Sequence, residues 1–254
     1  MAETDKELAL FKKRMEELAD RAWRQSLFVF TGFLSLAEQE VLWEAAAKTG
    51  VRVTLQGGAE FAERQMARFG DASELGYEEP FPIRCLFIEP LSEKFADAFT
   101  HRDFLGAVLN LGIDRSTVGD IFVEGKKAWL FCTEAIAPFL SENLVQVRHT
   151  RVRCLPAAEG GTLPERRFES RQENAASLRC DGIVAAVWRL SRSQSMTLVS
   201  QKKVYINGRL TENGSRLLKE GDVVSVRGMG KFIFRGEKHT TKKGRLVVEV
   251  DVFV

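Results

Sequence analysis

Nowhere in its 254 residues does the chain hold an uninterrupted apolar run of the ~18 residues that a membrane-crossing helix needs. The opening stretch, MAETDKELALFKKRMEELAD, is charged throughout and lacks the apolar centre of a secretory signal. A cytoplasmic protein without a membrane partner is expected. Cysteine is scarce: Cys85, Cys132, Cys154 and Cys180 are scattered through apolar or strand-like runs with no C-x-x-C spacing. That disfavours both a zinc site and a disulfide framework, and the four are expected as buried thiols. A phosphate-cradling P-loop is missing. Of the three histidines, His149 and His239 have no neighbours of triad type. His101 and Asp103 sit two apart at a helix start, so their side chains diverge. No catalytic residue, metal or cofactor is expected.

The chain is long enough for two or three domains, and an apolar content of 44% is enough to build their cores. The net charge is only +2, but it is unevenly placed. Residues 1–80 carry 10 Lys/Arg against 15 Asp/Glu, residues 81–164 carry 9 against 10, and residues 165–254 carry 18 against 10. A basic end on an otherwise acidic chain points to a polyanionic partner.

Leu8, Phe11, Met15, Leu18 and Ala22 recur at steps of three and four, which predicts a helix over 5–25. Phe28 to Leu34 reads as a hydrophobic connector. Ser35, with Glu38 three residues on, is a capping box for a second helix that stops at Gly50. Val51 to Leu55 alternates like a strand. Gln56-Gly57-Gly58 turns into an expected third helix, AEFAERQMARF, ended by Gly70. A glycine turn at a helix start can hold phosphate, although a bare Gly-Gly is first of all a tight turn.

Pro80 and Pro82 mark a boundary. Beyond it come strand Ile83–Glu89, a helix opened by the box Thr100-His-Arg-Asp103, strands Val118–Glu124 and Lys127–Cys132, helix Glu134–Asn143 and strand Val145–Leu155. This β-α-β-β-α-β order is the split ferredoxin-like arrangement that RNA-recognition domains share. Trp129 and Phe131 alternate on its third strand, but the K/R-G-F/Y-G/A-F signature is absent. The two rings are therefore expected in a core rather than under RNA bases. Residues 156–176 are polar, contain two prolines and read as a linker.

From Ser177 a closing domain begins. Ser177 is the expected N-cap of helix Leu178–Leu190, and Asp181 lies in its first turn. Ser191 ends that helix and caps the next, with Gln194 completing another box. Asn207-Gly208 after Val204–Ile206 is a strong hairpin signal. Val223–Arg227, a bulge or kink at Gly228-Met-Gly230, Lys231–Arg235, a basic loop Gly236–Gly244 and Arg245–Val254 complete a small twisted sheet. The fold class is α+β: an N-terminal α/β domain (1–80), a ferredoxin-like, RRM-like domain (81–155), the linker (156–176) and two helices on a sheet (177–254).

A helix N-terminus offers unpaired N–H groups and about half a positive charge, a place that phosphate favours. Ser191, Arg192, Ser193 and Gln194 occupy such an end. Arg179 lies near the start of the preceding helix, and Lys202 and Lys203 just past the second. Arg227, Lys231 and Arg235 come from the sheet, and Lys238, Lys242 and Lys243 from the loop. Most charge runs are simply solvated surface, but the concentration of these in one part of the chain favours an RNA-contacting face. Asp181 among them is expected to orient Arg179 or to serve the helix dipole.

Several spaced elements here resemble the S4 RNA-binding domain: Ser177-Leu-Arg-Cys-Asp181, Leu190-Ser-Arg-Ser-Gln194, Lys203-Val-Tyr-Ile-Asn-Gly208 and Gly221-Asp-Val-Val-Ser-Val-Arg-Gly228. Cys180 departs from the usual leucine and remains apolar. Gln56-Gly-Gly-Ala-Glu-Phe-Ala-Glu-Arg64, His101-Arg-Asp-Phe-Leu-Gly106, Leu111-Gly-Ile-Asp-Arg115 and Gly119-Asp-Ile-Phe122 extend the likeness over nearly the whole chain, to the YlmH family of bacterial S4 proteins. The resemblance implies a cytoplasmic, ribosome-associated protein linked to the large subunit, and a monomer is expected. There it would engage structured RNA, both rRNA and peptidyl-tRNA, during rescue of stalled chains.

Some S4 proteins are pseudouridine synthases or tRNA synthetases. The G-R-L-D-like stretch of the former is not found outside the S4 region, and neither the HIGH-like nor the KMSKS-like motif of the latter is present. A non-enzymatic binder is therefore expected. Two alternatives stay open: an adaptor docking a protein through the acidic residues 1–80, and an S4-type accessory of an RNA-modifying activity.

Overall fold

A computed structural model describes residues 2–59, 62–96, 98–159, 168–241 and 244–253. The chain divides into two compact units, Met1–Glu165 and Arg166–Val254. No described helix is long and apolar enough to cross a membrane.

The first unit opens with α1 (Ala2–Gln25), whose stripe of Met15, Ala19 and Ala22 is buried. It packs beside α2 (Leu36–Thr49) over a sheet of β1 (Val29–Leu34), β2 (Val53–Gln56) and β3 (Gln65–Phe69), ordered β1-β3-β2 and antiparallel. The Ser35 box forms with both reciprocal hydrogen bonds, and α2 ends at Gly50 in the left-handed conformation. Two expectations fail. The connector at 28–34 is strand β1. Within AEFAERQMARF, residues 65–69 are strand β3 rather than helix, because β3 is the central strand and both neighbours claim its backbone groups. Pairing on both sides outweighs local helix propensity.

After a single turn α3 (Ala72–Leu75) come β4 (Ile83–Pro90), α4 (His101–Leu109), β5 (Val118–Glu124), β6 (Lys127–Thr133), α5 (Ala137–Asn143), β7 (Gln146–Val147) and β8 (Thr150–Pro156). The antiparallel sheet runs β5-β6-β4-β8-β7. The expected strand 145–155 is thus a hairpin that turns at Arg148-His149. One sheet face is covered by Phe104 and Val108 of α4 and Leu140 of α5, packed on Leu86, Ile88 and Leu130. The other face holds Trp129, 4% exposed, and Phe131, 3% exposed. Phe131 packs with Phe33 of β1 and Met66 of β3, so core packing accounts for it.

A buried polar node joins the two sheets. Asp120 accepts hydrogen bonds from the backbone N–H of Glu63 at 2.8 Å and of Arg64 at 3.1 Å. The Arg64 guanidinium donates to the carbonyls of Val118 (2.9 Å), Phe33 (2.7 Å) and Arg115 (3.1 Å). Arg115 in turn donates to the Val118 carbonyl. Burial pushes Arg115 down to about 10 and lowers Arg64 as well. A Cβ on Gly119 would stand 2.6 Å from the Phe33 ring, so only glycine permits this approach.

In the second unit, α6 (Cys180–Val187) and α7 (Arg192–Ser200) pack on a sheet of β9 (Phe168–Ala175), β10 (Val204–Ile206), β11 (Arg209–Leu210), β12 (Val223–Val226), β13 (Gly230–Thr240) and β14 (Leu246–Phe253). The order is β11-β10-β12-β13-β14-β9, antiparallel throughout. Ile183, Val184, Val199, Val204, Phe232, Phe234 and Val250 are among its core residues. Residues 168–175, expected within the linker, pair with β14 from Leu246↔Ala175 to Phe253↔Phe168. FESRQENA has no apolar alternation to announce a strand. Its polar side chains suit a sheet edge, and its place is set by β14. Residues 236–240 of the expected basic loop continue β13, and 227–229 form its hairpin turn with β12 rather than a bulge. The Asn207-Gly208 hairpin forms with both residues at positive φ.

Candidate nucleic-acid interface

Two arginines of the second unit, Arg179 and Arg192, meet at Asp181, whose side chain is only 1% exposed. Arg179 grips this carboxylate with two hydrogen bonds, Nε to Oδ1 at 3.0 Å and Nη2 to Oδ2 at 2.9 Å. Arg192 Nε reaches Oδ2 at 3.4 Å. The hydrogen bonds from Arg179, then the nearby arginine charges, hold the Asp181 carboxyl below the usual aspartate range. The Asp181 carbonyl accepts from the buried Ser195 Oγ at 2.7 Å, which fixes the carboxylate to α7. Arg192 keeps 62% of its side chain exposed and Arg179 33%. The buried acid thus orients two guanidinium groups whose outer faces stay open.

The start of α6 differs from expectation. Ser177 does not cap it: α6 begins at Cys180, with Arg179 as the N-cap residue and no side-chain cap. The N–H groups of Cys180 and Asp181 donate to the carbonyls of Arg216 and Gly214, so this end has little left for a phosphate. A Cβ at Gly214 would lie 2.8 Å from Met196 Sδ and 3.2 Å from Asp181 Cβ, which is why the 211–218 segment can approach so closely. The start of α7 is different. Ser191 accepts from the Gln194 N–H at 3.2 Å, and Gln194 Oε1 accepts from the Ser191 N–H at 2.8 Å. Gln194 is therefore committed to the cap. The Ser193 hydroxyl lies 3.0 Å from that of Ser191. The backbone N–H groups of Arg192 and Ser193 point out of the first turn without a partner among the described residues, next to the positive end of the helix dipole.

The remaining cations separate. Lys203 is exposed, and its carbonyl accepts from the Arg227 N–H at 2.9 Å. The Arg227 guanidinium lies 4.7 Å over the Tyr205 ring, a cation–π contact. Lys202 pairs with the equally exposed Glu212 at 3.3 Å, which is worth little. These groups lie past the far end of the nine-residue α7, about 13 Å from Arg192. Arg235 Nε is bound to Asp251 at 2.6 Å. Lys238 is likewise paired, with Glu249 at 2.6 Å. Lys231 sits opposite Ser225 across β12 and β13. Lys242 and Lys243 lie outside the described residues. Tyr205, Ser195 and Gly214 were not legible as parts of the site, since their roles come from cross-strand and inter-segment packing. The four thiols are buried or half-buried, and burial pushes each up to about 12.

Residues 77–158 match the family model described as "Putative RNA-binding domain in YlmH". Residues 77–158 thus carry a YlmH-type domain. It is 29% identical over 247 residues to the "Ribosome-associated protein quality control protein P2" of Bacillus subtilis (strain 168), across 92% of this chain and 94% of that protein. A solved structure named "Cell division protein ylmH from Streptococcus pneumoniae" aligns with a TM-score of 0.47 and 21% identity, over 60% of this chain and 93% of that one. The YlmH domain is the five-stranded sheet with its helices. It is not the arginine cluster on which the sequence reading placed RNA contact. The pointer in the sequence was His101-Arg-Asp-Phe-Leu-Gly106, which lies on α4.

Proposed function

We propose that this protein is a member of the YlmH family and binds structured RNA on the large ribosomal subunit, without catalysis, in the rescue or quality control of stalled ribosomes. It acts as a cytoplasmic monomer, with rRNA and peptidyl-tRNA as its RNA partners and no cofactor. The first unit is read as an N-terminal α/β domain and a ferredoxin-like, RRM-like domain, and the second as an S4 domain. The observation that carries the reading is the Asp181 clamp. A carboxylate that is 1% exposed spends itself on holding Arg179 and Arg192 beside the open N–H groups of α7. Phosphate is the ligand such an arrangement suits. Lys203 and Arg227 extend the track at the other end of α7. The name of the Bacillus subtilis relative supports the ribosomal setting.

The test is co-sedimentation of the full chain with purified large ribosomal subunits. Arg192→Glu combined with Lys203→Glu is expected to reduce association at least about tenfold while leaving the melting temperature in place. Undiminished co-sedimentation of the folded double variant overturns the site.

A second reading concerns the acidic residues 1–80. Trp23 is 69% exposed and lines a cleft with Val51, Leu75, Asp71 and Glu74. A large exposed ring over acidic groups suits a basic peptide. Recovery of a nuclease-resistant partner with the wild-type chain, and its loss with Trp23→Ala, supports that adaptor role; recovery that vanishes with nuclease removes it.

A further inference from the structure

The YlmH segment is called RNA-binding, yet the sheet surface on which RRM-type domains stack bases is closed. Phe87 and Phe131 are 3% exposed and Trp129 4%, so these three rings offer no platform for a base. A strand of RNA must use another surface of this segment.

One surface has the right chemistry. A groove of about 530 Å³ runs between α4 and the β7–β8 hairpin, lined by Arg102, Gly106, Asn110, Val145, Gln146 and Arg148, with Asp103 at its side. The hairpin segment 144–153 carries Arg148, His149, Arg151 and Arg153 and no acid, with Arg153 paired to Glu89 of β4. Arg102 is exposed and makes no ion pair or hydrogen bond with the described residues. The Asp103 carboxylate is already engaged, accepting from the Thr100 N–H at 2.8 Å and its hydroxyl at 2.7 Å, with Arg148 Nε at 3.8 Å. Cations therefore dominate the rim, while amides and a 59% exposed Val145 supply a neutral wall.

Two further features run against stability. Gly106 occupies the middle of α4, and a Cβ there would meet nothing within 4 Å. Packing does not require glycine at this point, although glycine costs helix stability. Arg148 adopts φ 52 in the tight turn between Val147 and Thr150, a conformation that favours Gly or Asn over Arg. Strain held at a surface position motivates a functional reading.

We propose that this groove holds an unpaired stretch of RNA, with phosphates against Arg102 and Arg148 and a ribose or base against the bare helix surface at Gly106. Gln146 Nε2 donates to the Arg148 carbonyl at 2.7 Å, which leaves its Oε1 and the Asn110 amide to meet base edges, which a duplex conceals in its narrow groove. The proposal rests on the RNA-binding reading above but assigns a separate site, in the first unit.

The full chain is titrated with a labelled single-stranded oligoribonucleotide and with the blunt duplex of the same sequence. Gly106→Leu places a good helix former in open space and blocks the floor; Arg148→Gly removes the cation and relieves the turn. Both are expected to melt no lower than wild type and to bind the single strand about tenfold more weakly. Arg102→Glu is expected to do the same through charge alone. Wild-type affinity in these folded variants, or a preference for the duplex, overturns the proposal. If Arg192→Glu with Lys203→Glu abolishes binding while the groove variants bind normally, the groove alone is refuted. If the wild-type chain binds neither RNA, the RNA-binding reading falls with it.

Discussion

Each unit contains a buried aspartate with two arginines close by, and the two clusters do opposite things. Around Asp120, the acid is spent on the backbone of Glu63 and Arg64, and the Nε and Nη2 groups of Arg64 are held by three carbonyls. The result is a weld between two sheets. Around Asp181 the acid accepts from the Gly182 N–H at 2.8 Å and otherwise takes the inner edges of Arg179 and Arg192, leaving Arg192 62% exposed. The same residue types make structure in one place and a presented charge in the other. What separates them is where the guanidinium N–H groups end, which composition alone does not reveal.

If this contrast is right, substitutions at the two nodes separate stability from binding. The largest effect is expected for Asp120→Ala. It orphans two backbone N–H groups and uncovers buried cations, so thermal denaturation should report a loss of about 3 kcal/mol or more. RNA affinity of the fraction still folded should be unchanged. Next comes Arg192→Glu with Lys203→Glu: binding falls at least about tenfold, while stability moves by less than about 0.5 kcal/mol, as for other surface changes. A melt that drops in parallel with binding would make this cluster structural too.

Asp181→Ala should be intermediate on both axes, costing about 2 kcal/mol because a buried partner is lost from a charged hydrogen-bonded group and weakening RNA binding as Arg179 and Arg192 lose their tether. Its pH dependence has a definite sign. The folded-state pKa of Asp181 is depressed, so its stabilising contribution is present above the unfolded aspartate value and is lost as pH falls through the folded one. The stability gap between wild type and Asp181→Ala should therefore be constant near neutrality and close below about pH 4. Melts at stepped pH measure this, and a gap that widens on acidification would contradict it. The smallest effect on binding is expected for Arg235→Ala, since its Nε is held by Asp251 and its side chain is 34% exposed against 62% for Arg192; a loss in RNA titration equal to that of Arg192→Glu would refute the distinction between paired and presented arginines.

The helix starts at Ser35, Thr100 and Ser191 were legible because a capping box is a local device, complete within four residues. So was the Asn207-Gly208 turn. Strands β3 and β9 were not, because partners distant in the chain define them: Gln65–Phe69 lies between β1 and β2, and Phe168–Ala175 follows the edge of β14. The start of α6 was misplaced for a related reason, since carbonyls from Gly214 and Arg216 arrive to satisfy it. Within the candidate site, Arg179, Arg192 and the orienting role of Asp181 could be read from sequence. The pairing of Arg235 with Asp251 and the stacking of Arg227 on Tyr205 could not, because both depend on strand placement. The groove beside Gly106 lay within a motif visible in the chain, but its bare floor appears only in three dimensions.

The most direct test of the presented-arginine claim is the salt dependence of binding to large-subunit RNA, for the wild-type chain and for Arg192→Ala. Replacing a phosphate-bound arginine should lower the slope of log K against log salt by about 1, with affinity weakened at every salt concentration. An unchanged slope and affinity in the folded Arg192→Ala protein would show that this arginine meets no phosphate and would contradict the account.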